Sequence, residues 1–185
     1  MPIVLDRKKI DEALPKVAPG LAKYLRIMEF VAKDPHYYDD PDFRKAFNGF
    51  YRVRRSSQTW QPQFFALMAR AGAQGFDFSR TLAELFAATG RIEASFASKL
   101  YATLHPDAPV IDSVVLENLG LKLPAAADPN RQAKVAGIHK GLAKTFADLL
   151  ATEDGKYLVA SFRAAYPKAA VTDEKALDLV LWQIR

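Results

Sequence analysis

Cysteine is absent from this chain of 185 residues, which excludes disulfides, thiolate nucleophiles, iron–sulfur clusters and cysteine-bound zinc. Histidine is scarce. His36, His105 and His139 lie far apart and match no metal-ligand spacing, so neither a metal nor another cofactor is expected. No apolar run nears the ~20 residues needed to cross a bilayer, and the opening MPIVLDRKKIDEALPK is too charged for a secretion signal. No membrane is therefore expected among the partners, and the expected location is the cytoplasm. Dinucleotide-binding and phosphate-binding glycine loops and the G-x-S-x-G nucleophile turn are missing too. Gly72 and Gly75 form a GxxG-like turn, but without the strands that flank a nucleic-acid clamp.

Alternating strand patterns are nearly absent; apolar residues recur instead at three and four positions, the period of an amphipathic helix. Half of the residues are apolar, enough to bury a core without covalent staples. The expected fold is all-α, a single-domain irregular helical bundle of about eight helices spanning 1–185, with a linker-like stretch at 122–129. Helices are expected over 20–34, from Pro41 to Arg55, from Pro62 to about Ala71, from Arg80 to Thr89, over 92–105, from Ser113 to Leu119, from Pro129 to about Ala151, near 154–165 and near 173–184. The first sixteen residues read as irregular or a short helix. Asp40-Pro41 and Asp128-Pro129 read as cap and first helical position, Ser79 as a cap, and Gly90 as the residue that ends its helix.

The formal charge is +5, and the first half carries all of the excess: residues 1–92 hold 15 Lys/Arg against 10 Asp/Glu, whereas 93–185 hold 11 of each. A polyanion such as DNA is a natural partner for that half, although ordinary solubility charge accounts for so small an excess equally well. On the helix from Pro41, Phe43, Phe47, Phe50 and Tyr51 share one face. Arg44, Asn48, Arg52 and Arg55 fall on another, a stripe of guanidinium forks suited to phosphate or to plain solvent exposure. Arg54 falls nearer the apolar side and calls for a carboxylate or carbonyl partner. Trp60 is a candidate for stacking on a base and, as readily, for core packing.

One stretch carries most of the chemistry. In "SFASKLYATLHPDAPVIDSVV" (Ser95 to Val115), Ile92, Phe96, Leu100 and Leu104 are expected on the buried side of the helix, which puts Ser95, Lys99 and Ala102 on the other. Asp112 stands before Ser113 and an apolar run, where its carboxylate accepts N–H bonds from a new helix. Ile111 and Leu116 are placed to staple that cap. Cap and catalyst are both open to Asp112.

The segment "ASKLYATLHPDAPVIDSVVLENLGL" resembles the part of the helix-hairpin-helix DNA glycosylases in which a lysine-bearing helix leads to an aspartate and a helix with a leucine-rich end. The resemblance implies that Lys99 matches the lysine of the bifunctional members, Asp112 the catalytic aspartate and Ser113 the residue after it. Where that family carries its glycine hairpin, this chain has "TGRIEASFAS". The lysine-to-aspartate spacing, 13 positions, is also shorter than the family's. Most of the chain is similar as well to uncharacterised bacterial helical proteins, through Phe50-Tyr51 with Arg54, Ser95 to Leu100, Pro109 to Val115 and Asp178 to Trp182. The reading is a DNA-associated protein with a glycosylase-like helical fold, active or degenerate; the alternative is a non-catalytic helical module that docks a protein partner.

Overall fold

The structure, a computed structural model, describes residues 5–53 and 59–184. Among these residues there is no strand, and the all-α expectation holds. The helices are α1 (Arg7–Lys33), α2 (Pro41–Tyr51), α3 (Trp60–Gln74), α4 (Phe78–Thr89), α5 (Ala94–Leu104), α6 (Ser113–Asn118), α7 (Arg131–Ala151), α8 (Glu153–Ala165) and α9 (Asp173–Leu181), with a single 3-10 turn at Tyr37–Asp39. α1 packs on α2, α8 and α9; α4 packs on α3, α5 and α7; α9 also meets α6, α7 and α8.

The N-terminal segment departs most from expectation. α1 starts at Arg7, not Gly20, and runs through Pro15 and Pro19. Each proline deprives a carbonyl four residues earlier of its donor, but both prolines are exposed, so water can serve those carbonyls. On the opposite face Ile10, Leu14, Val17, Leu21, Tyr24 and Ile27 are buried. At ~1.5–3 kcal/mol for each large apolar side chain removed from water, that stripe outweighs two lost hydrogen bonds.

Several boundaries move by a few residues for local reasons. Asp40 caps α2 as expected, accepting the N–H groups of Asp42 (2.7 Å) and Phe43 (3.4 Å). Asp77, not Ser79, caps α4 through the Arg80 N–H (2.7 Å). Asp128 turns the chain by accepting the Asn130 N–H (2.9 Å), and α7 begins two residues beyond Pro129. Gly90 ends α4 at φ 69°. The aromatic face of α2 is buried as expected, with Phe43 and Phe47 packed on Phe64 and Phe65 of α3 at centroid distances of 5.6 to 6.0 Å.

α5 is a correction. Its buried residues are Ala94, Ala97, Ser98, Leu100, Ala102 and Thr103, so Ala102 does not share an outer face with Lys99. Phe96, Ile92 and Leu104 are partly exposed. Small side chains let neighbouring elements approach this helix closely, and the bulky ones lie at its margins. Ser98 uses that closeness: its Oγ donates to Ser95 O (2.9 Å) and accepts the Ile111 N–H (2.9 Å). The segment after α5 is held twice more, by Thr172 Oγ1 donating to Pro106 O (3.0 Å) and by His139 Nε2 on Pro109 O (3.1 Å).

Two outcomes follow from this packing. A Cβ on Gly155 would stand 2.0 Å from Leu149 O, whereas one on Gly137 meets nothing within 4 Å. In urea denaturation, Gly155→Ala is expected to destabilise by at least about 2 kcal/mol, and Gly137→Ala to stabilise by about 0.5–1 kcal/mol. His139 is buried and stacked on Phe78 at 3.8 Å; burial pulls its pKa down to about 4, against the opposing effect of its bond to Pro109 O. The unfolded chain therefore takes the proton first, and stability falls as pH drops from about 6.5 to about 4, by about 3 kcal/mol. His139→Gln, whose amide can still donate to Pro109 O, should remove that slope when stability is measured against pH.

Candidate functional site

Four stretches of the sequence line one concavity of about 420 Å³. They are the end of α2 (Phe50, Tyr51, Arg52), one side of α5 (Phe96, Lys99), the step into α6 (Val110 and Asp112 to Val115) and the end of α9 (Asp178, Leu179, Trp182). The volume is in the range of ligand pockets, ~300–1,000 Å³.

Asp112 is the N-cap of α6, with Oδ1 accepting the Val114 N–H (2.9 Å). Its other oxygen makes no hydrogen bond among the described residues, and the residue lines the concavity. Cap and reachable carboxylate thus coexist. Ser113 beside it is exposed on the same wall.

Lys99 is half-buried, and its ammonium donates to Tyr51 O (3.1 Å), a carbonyl at the end of α2. The rings of Phe96 and Tyr51 lie 5.4 and 5.9 Å from Nζ. Desolvation holds the Lys99 pKa below the ordinary lysine value; the Asp112 and Asp178 carboxylates pull it back up, and Arg52 pushes it further down. An amine so placed has more of its uncharged, nucleophilic form near neutral pH than a surface lysine.

Arg52 closes α2 in the left-handed region at φ 52°, unusual for a residue other than glycine. Its guanidinium lies 5.2 Å from the Trp182 ring, which meets Phe50 edge-on at 6.3 Å. The expected arginine stripe does not form as one surface. Arg44 turns away to Tyr38 O (2.7 Å) and Asp39 (3.0 Å) over the Phe65 ring, and Asn48 donates to Gln61 (3.2 Å). Arg54 and Arg55 lie outside the described residues. Trp60 is core: it stacks on Phe64 at 4.9 Å and donates to Glu93 Oε2 (2.9 Å). Ser95 is half-buried and lines no part of the concavity.

Beneath the site lies a group that helical periodicity did not single out. Lys175 is 1% exposed and donates to Asp178 (2.9 Å), with the Tyr24 ring 4.9 Å from its Nζ. Burial opposes its charge, yet Asp178 and the phenols of Tyr51 and Tyr24 outweigh burial and hold its pKa above the ordinary lysine value. Among the described residues the buried Tyr51 hydroxyl makes no hydrogen bond. Thr103 beside it donates instead to Lys99 O (2.9 Å). The sequence signal was a Lys and an Asp at i, i+3 on a helix whose remaining residues beyond the acidic first turn are apolar. Among the described residues, no cluster of side chains suited to a metal ion occurs and no helix is long and apolar enough to cross a membrane.

Comparisons with family models, with curated proteins and with solved structures return no match.

Removing one partner of the buried pair is expected to cost more than removing both. Lys175→Met strands the Asp178 carboxylate and should destabilise by about 3–5 kcal/mol, while Lys175→Met with Asp178→Leu should recover a large part of the loss. Thermal or urea unfolding of the double-mutant cycle checks this.

Proposed function

We propose that the chain is a DNA-associated protein with a glycosylase-like site, whose concavity receives a nucleotide drawn out of the strand. The observation that carries this reading is the meeting of Lys99 and Asp112 in one concavity with the cation of Arg52 and the rings of Phe96 and Trp182. Aromatic faces suit a base, and cations suit its phosphate. In this chemistry the bond between sugar carbon and base nitrogen breaks with its electron pair leaving on the base. The Asp112 carboxylate stabilises the positive charge left on the sugar, water or the uncharged Lys99 amine attacks that carbon, and the proton lost by the nucleophile goes to the departing base. The alternative, a module that docks a protein partner, asks for a contiguous exposed apolar patch. Among the described residues Phe86, at 42%, is the large apolar side chain left exposed, which offers that reading little surface.

Asp112→Asn separates the two roles of the residue, because asparagine caps a helix about as well as aspartate but carries no charge. Base release from a panel of damaged and mismatched DNA duplexes should fall by about 10²-fold or more, with melting temperature and DNA affinity nearly unchanged. Absence of DNA binding by the wild-type protein at low salt overturns the proposal.

A further inference from the structure

A second groove adjoins the site. It runs between α1 and α2, lined by Lys23 and Arg26 one turn apart on α1 and by Lys45, Gly49 and Asp42 on α2, and Phe50 belongs to its wall and to the wall of the first concavity. Lys23, Arg26 and Lys45 are exposed and form no ion pair among the described residues. Arg26 rests on the Phe30 ring at 5.7 Å. The single carboxylate in the groove, Asp42, lies in the first turn of α2. Three cations against one anion leave the groove positive, and Phe50 is the residue it shares with the concavity of Arg52 and Lys99.

Gly49 is the second observation. It stands inside α2 with ordinary negative φ, and a Cβ there would meet nothing within 4 Å. The fold thus gives no reason for glycine, which weakens a helix relative to alanine. A bare backbone on the floor of a cationic groove fits a ligand that must come close to the helix.

We propose that this groove is a track for the phosphate backbone of DNA next to the nucleotide held in the concavity, with Lys23, Arg26 and Lys45 as phosphate contacts and Gly49 as the point of closest approach. The inference rests on the DNA reading given above. A protein that neutralises phosphates releases counterions, so the salt dependence of binding counts the contacts.

The test measures binding of a fluorescein-labelled DNA duplex by anisotropy across a salt series, for the wild type, the triple variant Lys23→Gln, Arg26→Gln, Lys45→Gln, and Gly49→Leu. The triple variant should reduce the slope of log affinity against log salt by about 2–3 and weaken binding at least tenfold at low salt. Gly49→Leu should weaken binding at least tenfold while its melting temperature stays the same or rises, an outcome that a purely structural glycine would not give. Wild-type binding whose slope and strength survive in both variants overturns the track and leaves the concavity standing; no wild-type binding at all overturns both. Charge-dependent binding to phosphatidylserine vesicles without binding to DNA assigns the groove to a membrane surface and likewise overturns the proposal.

Discussion

The ammonium of Lys175 is the constraint around which the candidate site is arranged. A charge removed from water is tolerated when it is paired and surrounded by polarisable neighbours, and here the partners come from three helices: Asp178 on α9, Tyr24 on α1 and Tyr51 on α2. Meeting that requirement fixes the end of α9 against the end of α2. The same requirement brings Asp178, Trp182, Phe50 and Arg52 to one rim. The concavity is in this sense the outer surface of a buried electrostatic solution.

Lys99 shows how stability and chemistry share one group. Its bond to Tyr51 O completes the end of α2, and the same position beside Arg52, under partial burial, lowers the proton affinity of the amine. Asp112 has the same double character, since one oxygen starts α6 while the residue faces the concavity. Each charge has a partner, Lys99 on Tyr51 O and Asp112 on the Val114 N–H. Arg52 is where the fold departs from easy geometry, with a left-handed backbone at the lip of the site, and strain of this kind tends to gather at functional positions.

Helical class, most boundaries and the cap role of Asp112 were legible because each rests on local signals: apolar spacing, an Asp-Pro start, a glycine stop. The early start of α1 was not, because the prolines spoke locally against a helix while the buried stripe that sustains it is read against α8 and α9. The inner face of α5 was misassigned because size stood in for burial, whereas close packing there selects Ala97, Ser98 and Ala102. The stripe through Arg44 failed for a related reason: periodicity places a side chain on a face and does not say which carbonyl or carboxylate draws its head away. Lys99 and Asp112 could be named from their segment alone, but Tyr51, Asp178 and Trp182 enter the site through contacts of long sequence separation.

α6 has a further meaning. At six residues it is too short to persist alone, and it is secured by Asn118, whose amide donates to Leu181 O (2.9 Å) and Ile184 O (3.0 Å). The aspartate-bearing wall is therefore tied to the end of α9 and the turn after it, which stand more than sixty positions further along the chain. Fraying of that turn therefore loosens first the wall that carries Asp112, so the shape of the concavity depends on a contact made far along the chain from it.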